Sequence, residues 1–496
     1  MLVIQNGYDC DYELKLFAGL FFDTDEDVCV YSDFKYDGEK INVYTQINYD
    51  GLSYFDDHYF DFDITDKDEK LIKKVFTCSC TKSFCACAKQ IRNISLPWGV
   101  MCGIRPAKNV RELKESGYND KEVHDILTTV YEVEEEKIDL AMRVAKNEEI
   151  LLKNIGKNSV SLYIGIPFCP TRCIYCSFVS TDIRVSGKYM DEFVEKLLLE
   201  IDKTAEIIKK IGVYVETIYI GGGTPTTLSA VHLQRIFERL HKYFDFEKIK
   251  EFTLEAGRVD TITKEKLLAA KSGGVDRISI NPQTMNIVTL KKVGRNHDDK
   301  MVEECFKLAR ELGFNNINMD LIAGLPGETP EMFKYSLDRV IALDPENITV
   351  HSMCVKRAAN LRFTNNRLTE ARDMNEMLSY TQKQMAKTGR EPYYMYRQKN
   401  TVGNLENVGF SIEGHEGLYN IYMMEELQTI FAVGAGAVTK LVKTSPSDPN
   451  DTKIKRIFRP KYPYEYLRLA EDKKNEGAIS LLRDEQEIYD FFTDTE

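Results

Sequence analysis

The fold is decided by residues 163–178, which read Tyr163-Ile-Gly-Ile-Pro-Phe-Cys-Pro-Thr-Arg-Cys-Ile-Tyr-Cys-Ser-Phe178. Cys169, Cys173 and Cys176 follow an apolar stretch in a CxxxCxxC spacing. Three thiolates can hold three irons of an iron–sulfur cluster and leave the fourth iron open for a ligand, and thiolate is the ligand type that selects such clusters. The alternative is a zinc knuckle, although zinc sites typically use two separate Cys pairs. The spacing therefore predicts an iron–sulfur cluster with one open iron.

Length and composition restrict the class of protein. A chain of 496 residues predicts two or three domains, and a hydrophobic content of 43% with 29% charged residues is typical of a globular protein. We find no signal peptide and no run long and apolar enough to span a membrane. The net charge of −12 argues against a surface that binds nucleic acid over the whole protein. This net charge is still compatible with a local basic funnel. Twelve cysteines without an export signal predict reduced thiols and a cytoplasmic location.

The first part of the chain, residues 1–155, is predicted to form a separate α/β extension. Alternating strands such as Ile41–Ile47 precede a helical stretch around Glu122–Leu152. Two sets of residues stand out in this part. Residues 96–106 contain the only tryptophan and predict a rigid turn packed against the next domain, with a role in substrate entry as the alternative. The second set comprises four thiols that either hold a metal or are buried in a helix: Cys78, Cys80, Cys85 and Cys87.

Residues 156–360 alternate short apolar strands with helical stretches, which predicts a partial (β/α)6 barrel. The predicted strands are Val160–Ile166, Glu216–Ile220, Glu251–Glu255, Arg277–Ile280, Ile317–Ile322 and Ile348–His351. In such a fold the chemistry gathers at the carboxyl ends of the strands. Residues 361–496 no longer alternate short strands with helical stretches, and we predict that they form a mainly helical C-terminal cap.

Polar and glycine residues follow the predicted strands at those ends. Gly221-Gly-Gly-Thr-Pro-Thr226 follows the second strand, and its backbone can approach a bound molecule closely and offer N–H groups. Glu255, Gln283, Arg295 and Asp320 come at or after later strands. Each alone is most simply a helix cap, a surface charge or a paired core residue. Together they supply carboxylates, an amide and a guanidinium for a charged ligand.

These motifs resemble a known family. The set YIGIPFCPTRCIYCSF, GGGTPT, TLEAGR, NPQTMN, GRNH and NMDLIAGLPGET resembles the radical S-adenosylmethionine (SAM) enzymes of the oxygen-independent coproporphyrinogen III oxidase type, from about Ser159 to Val438. The N-terminal LPWGVMCGIRP, with YYMYRQKNTVGNLENVG and FAVGAGAVTK, resembles the HemZ-type coproporphyrinogen dehydrogenases in particular. The resemblance implies a [4Fe–4S] cluster held by Cys169, Cys173 and Cys176. It also implies SAM contacts from Tyr163, Tyr175, Gly222, Gly223, Thr224, Glu255, Gln283, Arg295 and Asp320.

The resemblance further implies a reaction. A 5′-deoxyadenosyl radical would take hydrogen from propionate side chains of coproporphyrinogen III, and loss of CO₂ and one electron would leave vinyl groups and, after two rounds, protoporphyrinogen IX. The implied partners are this tetrapyrrole and an electron donor such as flavodoxin or ferredoxin, with no nucleic acid. Four substrate carboxylates call for cations, and our candidates are Lys356, Arg357 and Arg397, or these are simply exposed loop charges.

One position departs from the family pattern and keeps two alternatives open. Established oxidases carry a further cysteine two residues after the third ligand, where this chain has Phe178. The related haem chaperones also lack it, so a haem-binding or haem-transfer protein is the second hypothesis. His351 and His415 would then be candidate axial ligands. A third hypothesis is another radical SAM reaction on a tetrapyrrole.

Overall fold

The structure is a computed structural model that describes residues 1–23, 25–62, 69–178, 180–354, 369–398, 401–444, 452–468 and 481–493. The strands are β1 Leu2–Asn6, β2 Val28–Tyr36, β3 Lys40–Tyr49, β4 Leu52–Asp61, β5 Ser159–Ile166, β6 Phe168–Cys169, β7 Thr181–Asp182, β8 Tyr214–Gly222, β9 Glu251–Glu255, β10 Arg277–Ser279, β11 Ile317–Ala323, β12 Asn347–Ser352, β13 Glu391–Arg397, β14 Glu406–Ser411, β15 Ile430–Gly434, β16 Val438–Thr444 and β17 Thr452–Phe458. The helices are α1 Asp11–Phe21, α2 Glu69–Lys89, α3 Pro106–Glu115, α4 Asp120–Thr129, α5 Glu135–Leu152, α6 Ile183–Ser186, α7 Met190–Lys210, α8 Ala230–Tyr243, α9 Lys264–Ser272, α10 Ile287–Lys292, α11 Asp299–Glu311, α12 Pro330–Ala342, α13 Ala371–Lys387, α14 Leu418–Glu425, α15 Pro463–Tyr466 and α16 Leu481–Thr493. None of these helices, within the described ranges, is long and apolar enough to cross a membrane.

The chain divides into two compact units. The first contains Met1–Ala145, Glu370–Asn375 and Met395–Glu406, and the second contains Lys146–Thr369, Glu376–Tyr394 and Asn407–Glu496. The predicted boundary at residue 155 therefore falls ten residues after the observed division at Ala145. The predicted third domain, residues 361–496, does not form a unit of its own, because short segments of it belong to the first unit and the rest to the second.

The first unit contains a four-stranded sheet in the order β1-β2-β3-β4. The first two strands are parallel and the other neighbours antiparallel. Alternate residues of β2 and β3 are buried, which is the pattern of a sheet with one covered face. Phe84 of α2 lies in this core and meets Phe21 edge-on at 6.1 Å. An α/β extension was predicted for this part of the chain, and the structure has that class.

The four thiols of α2 are buried on opposite faces of the helix. Cys78 and Cys85 are seven residues apart and share one face, whereas Cys80 and Cys87 share the face opposite because two residues turn a helix by about 200°. Four such thiols cannot converge on one metal ion. In the described parts of the chain no group of three or more His, Cys, Asp or Glu side chains is placed to hold a single metal ion. The buried-thiol alternative therefore fits this helix and the metal alternative does not.

We expect the quadruple variant, with Ala at Cys78, Cys80, Cys85 and Cys87, to bind as much iron and zinc as the wild type. The physical reason is the opposite orientation of the two pairs on α2. Metal content per folded protein, measured by elemental analysis after anaerobic reconstitution, checks this. Loss of a further equivalent of metal in the variant would contradict it.

A buried ion pair holds the tryptophan segment inside the first unit. Lys137 Nζ lies 2.6 Å from Glu406 Oε1, and both side chains are 1% exposed. Trp98 Nε1 donates to Glu406 Oε2 at 2.7 Å. Arg397 stacks over the Trp98 ring at 5.4 Å and donates to the carbonyls of Met101 and Gly103. The predicted turn at residues 96–106 is therefore fixed by contacts within its own unit.

The larger sheet has eleven strands in the order β13-β14-β12-β11-β10-β9-β8-β5-β15-β16-β17, and all of its residues except Met395–Arg397 of β13 and Glu406 of β14 belong to the second unit. Its centre is six parallel strands in sequence order, from β5 to β12. All six were predicted, with ends that differ by at most two residues. The strands remain an open sheet within the described residues, so the prediction of an α/β fold with a partial, unclosed barrel is confirmed.

The crossover helices begin at side-chain caps that sequence reasoning can recognise. Ser229, Thr263, Asp298 and Thr329 each accept a backbone N–H at the start of α8, α9, α11 and α12. Such a cap satisfies an amide that the helix leaves free, which is worth about 1 kcal/mol. Each cap marks the residue at which the loop after a parallel strand ends and the helix begins. The caps therefore set the lengths of the loops that carry the motifs.

The C-terminal part adds strands to both flanks of the parallel sheet. β14 pairs antiparallel with β12 at one flank of the parallel strands, and β15 pairs parallel with β5 at the other. β16 and β17 continue the sheet beyond β15. Among the described residues of this part, helices still account for more than strands do, so its mainly helical content agrees with the prediction. The strands that extend the sheet were largely missed, because short, fully buried strands such as β15 carry no alternation that distinguishes them from a buried helix.

Candidate cofactor site

The cysteine loop directly follows β5, at the carboxyl end of the parallel strands. Cys169 ends the short strand β6, and the amide of Cys176 donates to the carbonyl of Cys173 at 3.1 Å. Burial is the main reason that the pKa of the Cys176 thiol rises to about 11, and the charges of Cys173 and Cys169 add to it. Burial also raises the pKa of Cys169. The three thiols therefore lie close enough to affect one another, and binding iron would displace their protons.

The glycine turn after β8 packs directly against the cysteine loop. The amides of Gly223 and Thr224 donate to the carbonyls of Ile166 and Phe168 at 2.7 and 2.8 Å. A Cβ on Gly223 would lie 2.6 Å from the Phe168 carbonyl oxygen and 3.1 Å from Cys169 Sγ. Glycine is required here so that two loops can touch. These two amides are therefore used inside the protein, and contact of this turn with a ligand stays a prediction.

Thr224 and Tyr175 contact groups of the cysteine loop and its surroundings. The hydroxyl of Thr224 lies 3.4 Å from Cys169 Sγ. Tyr175 Oη accepts from Arg295 Nε at 3.1 Å, and the same guanidinium donates to the Asn281 carbonyl at 2.6 Å. The structure thus brings Tyr175 and Arg295 together, as expected if both belong to one site.

Glu255 lies at the end of β9 beside two tyrosine rings. It accepts a hydrogen bond from Tyr219 Oη. The Tyr219 ring stacks on Tyr419 at 4.5 Å, and Tyr163 lies 6.2 Å from both rings. Burial raises the pKa of Glu255 to about 7, the Tyr219 hydrogen bond opposes this rise, and the Asp320 charge adds to it. Neither Tyr219 nor Tyr419 was predicted, although Tyr219 precedes the glycine run by two residues.

Asp320 is the second carboxylate of the site; like Glu255 it is half-buried, but it is held differently. It accepts from Asn318 Nδ2 at 2.7 Å, and its Oδ2 lies 3.8 Å from His351 Nε2. Burial alone would raise its pKa, but the hydrogen bonds and charge of His351, together with Asn318 and Thr349, leave the pKa below its ordinary value. The pKa values of Glu255 and Asp320 are therefore shifted in opposite directions from their ordinary values.

Gln283 occupies a conformation that is uncommon for a side chain larger than glycine. Its φ is 67°, and its backbone is held by bonds to Asp320 O and from Ile322 N, both at 2.9 Å. Its amide oxygen is buried and has no hydrogen-bond partner within the described residues. Strain and an unused buried acceptor together are typical of a ligand-binding position.

The remaining candidates lie in different places. Lys356 and Arg357 are outside the described residues. Arg397 is 3% exposed in the first unit, so its interpretation as an exposed loop charge was wrong. The His415 carbonyl accepts from Asn347 at the amino end of β12, whereas His351 lies near the carboxyl end, about 13 Å along the strand. The two histidines therefore do not share one end of the sheet.

We expect the stability of the second unit to depend on pH through Glu255. Its folded pKa of about 7 lies above the ordinary value of 4.5, so the folded state holds a proton that the unfolded state releases. The free energy of unfolding should fall as pH rises from about 4.5 to about 7 and level off above that. When urea unfolding is measured across this pH range, the free energy of unfolding should fall less for Glu255→Gln than for the wild type. If the free energy of unfolding depends on pH equally in the variant and the wild type, the expectation is contradicted.

Comparisons with known proteins agree with this geometry. The pattern of the Radical SAM superfamily matches residues 163–340. HemZ of Bacillus subtilis, an oxygen-independent coproporphyrinogen-III oxidase-like protein, is 40% identical over 378 residues, covering 75% of this chain and 74% of the relative. The haem chaperone HemW of Lactococcus lactis is 32% identical and covers 56% of this chain and 68% of the relative. A solved structure of coproporphyrinogen III oxidase (HemN) from Escherichia coli has a TM-score of 0.48 at 24% identity, covering 60% of this chain and 67% of that one.

A parallel α/β sheet with this cysteine loop defines a radical SAM protein. Within that superfamily the chain belongs to the HemN/HemZ/HemW family, with HemZ as a relative across most of its length. The cofactors of this superfamily are a [4Fe–4S] cluster and SAM, as the sequence predicted. The donor set fits them, since the three thiols, the buried, unused amide oxygen of Gln283 and the half-buried carboxylates of Glu255 and Asp320 all lie in or after the parallel strands of one sheet. A four-iron cluster binds each thiolate at a different iron, so it does not need the spacing of a single-metal site.

Proposed function

We propose that the protein catalyses the oxygen-independent oxidative decarboxylation of coproporphyrinogen III propionates to vinyl groups. The observation that carries this proposal is the extent of the similarity to HemZ. It spans 378 residues, about twice the 178 residues of the superfamily pattern at 163–340. A shared cofactor core alone would not produce similarity of that length. The electron donor and a cytoplasmic location remain predictions.

In this proposal Cys169, Cys173 and Cys176 hold the cluster, and the strand-end residues hold SAM. Gln283 would use its free amide oxygen as an acceptor for the ligand. Glu255 and Asp320 would accept from its hydroxyl or ammonium groups. Tyr175 and Arg295, bonded to each other, would fix the side of the ligand nearest the cysteine loop. Tyr163, Gly222, Gly223 and Thr224 complete the proposed set.

The bound cofactors would supply a carbon radical that removes hydrogen from the propionate. For each propionate, loss of one hydrogen atom, one CO₂ and one electron leaves a vinyl group, so an electron acceptor is also required. The protein's part is to orient the β-carbon and exclude water. The stacked rings of Tyr163, Tyr219 and Tyr419 provide an apolar layer beside Glu255.

A haem-transfer protein is the second candidate, and one observation favours it. Phe178 stands where the oxidases have a cysteine, and 64% of its surface is exposed. HemW relatives also match this chain. For that function His351 is a candidate ligand, although its imidazole is already near Asp320.

Anaerobic incubation of the reconstituted protein with SAM, reductant and coproporphyrinogen III separates the candidates. The oxidase should form 5′-deoxyadenosine faster when the tetrapyrrole is present and release products that have lost two carboxylates. A carrier should leave the tetrapyrrole unaltered and bind haem with a Soret band that is sensitive to His351→Ala. A product of other mass would indicate a different radical SAM reaction. Unaltered coproporphyrinogen III would overturn the proposal.

We expect Glu255→Ala, Gln283→Ala and Asp320→Ala to keep the cluster but bind SAM more weakly. Losing one buried hydrogen bond to a charged group costs about 1.5–3 kcal/mol, or roughly ten- to a hundredfold in affinity. Titration of SAM against the cluster EPR signal measures this. Glu251→Gln, at the amino end of the same strand as Glu255, is the matched control and should bind SAM normally. Wild-type affinity in all three variants would show that the proposed contacts are wrong.

A further inference from the structure

Arg258 is a buried cation beside the cysteine loop that the proposed reaction does not use. It follows β9 by three residues, and its side chain is 3% exposed. Its Nη1 donates to Cys173 Sγ at 3.6 Å. It is the last residue of the TLEAGR motif, to which no role was assigned from the sequence.

The guanidinium is held so that its direction toward Cys173 is fixed. Nε and Nη2 donate to the two carboxylate oxygens of Asp260 at 3.0 and 2.7 Å. Nη1 and Nη2 also donate to Thr171 Oγ1, both at 3.1 Å. Thr171 Oγ1 in turn donates to the Gly294 carbonyl at 2.9 Å. With its donors engaged in this way, the side chain cannot turn away from the sulfur without losing several hydrogen bonds.

The three thiols do not receive equal contacts. Cys173 Sγ accepts from a charged guanidinium, whereas Cys169 Sγ faces the neutral hydroxyl of Thr224. Hydrogen bonds to cluster sulfurs and nearby charge are among the factors that set the reduction potential of an iron–sulfur cluster. A positive donor stabilises the reduced cluster, which carries one more negative charge, and so raises its potential.

We propose that Arg258 is a positioning residue that tunes the cluster toward easier reduction through Cys173, with Asp260 limiting the effect as its countercharge. This inference rests on the proposed assignment of Cys173 as a cluster ligand. It concerns the step in which the cluster accepts an electron from its donor. It does not depend on which tetrapyrrole the protein binds.

The test is an EPR-monitored redox titration of the full-length, anaerobically reconstituted protein without SAM or tetrapyrrole. Arg258→Met removes the charge and the donor at similar volume, and should shift the potential to a more negative value. Arg258→Lys keeps the positive charge but loses the planar set of N–H donors of the guanidinium. Its reduction potential should lie between those of Arg258→Met and the wild type. Asp260→Asn keeps the donor, removes the countercharge and should shift the potential to a more positive value. Arg390→Met is the matched control, because Arg390 is equally buried and bonds to Asp344 and to the Pro345 carbonyl.

Opposite shifts for Arg258→Met and Asp260→Asn support the inference, because a loosened loop would move both potentials in the same direction. Unchanged potentials, or shifts of one sign, would overturn it. If Arg258→Met binds no iron, Asp260→Asn decides alone, and an unchanged potential in that variant overturns the inference. A wild type that binds no cluster would refute both this inference and the ligand assignment. Opposite shifts in a protein that leaves coproporphyrinogen III unaltered would refute the proposed reaction only.

Discussion

Cys169→Ala, Cys173→Ala and Cys176→Ala should each abolish the iron–sulfur cluster of the reconstituted protein. The wild type should bind about four irons, because three thiolates and one open iron complete a [4Fe–4S] site. Each substitution removes one of only three protein ligands, so the remaining two thiolates should not hold the cluster. Without the cluster, SAM cleavage should fall to background. Iron content, visible absorption and 5′-deoxyadenosine formation measure the three expectations.

The control for this prediction is Cys305→Ala. Cys305 is a half-buried thiol in α11 of the same unit, and its Sγ contacts the Val259 carbonyl at 3.7 Å. It lies outside the cysteine loop, so the variant should keep the full iron content. A wild-type spectrum in any one of the three loop variants would refute the assignment of that cysteine.

Breaking the buried ion pair of the first unit should cause the largest loss of stability in the protein. Glu406→Gln leaves Lys137 as a charge without its partner carboxylate in a site that is 1% exposed. Breaking such a pair costs about 3–5 kcal/mol, because it leaves an uncompensated charge in a buried site. Trp98, the single tryptophan of the chain, is in direct contact with the pair. Its fluorescence during urea unfolding therefore reports on this unit alone.

A double variant tests the reason for that loss. Lys137→Met should also destabilise the first unit, because it removes the cation that faces the buried carboxylate of Glu406. Lys137→Met combined with Glu406→Gln removes both charges and keeps an amide oxygen for Trp98, so much of the stability should return. If the loss of stability in the double variant equals the sum of the losses in the two single variants, the ion pair is not the cause of the effect.

The parallel core of the second unit could be predicted because its signals are local. Each of the six strands is a short apolar run bounded by turn residues, and the helices between them begin at recognisable caps such as Ser229 and Thr329. The candidate residues followed from the same logic, because strand ends of a parallel sheet lie at one edge. Glu255 and Asp320 lie close enough that the charge of one affects the pKa of the other.

The parts that could not be predicted depend on contacts between distant residues. Arg258 and Cys173 are 85 positions apart, and nothing in either local sequence indicates the bond between them. Trp98 and Glu406 are 308 positions apart. The amides of Gly223 and Thr224 bond to the carbonyls of Ile166 and Phe168, more than fifty positions earlier, which a glycine-rich pattern alone cannot reveal.

The placement of β14 and β15 has a consequence for synthesis of the protein in the cell. These two strands cover the opposite flanks of the parallel sheet, yet both are translated after all six strands of its centre. Until they emerge from the ribosome, β12 and β5 each present a row of unpaired amides to other nascent chains. Open sheet edges of this kind promote aggregation. The parallel sheet is therefore most exposed to aggregation during the interval in which the chain from β12 to β15 is translated.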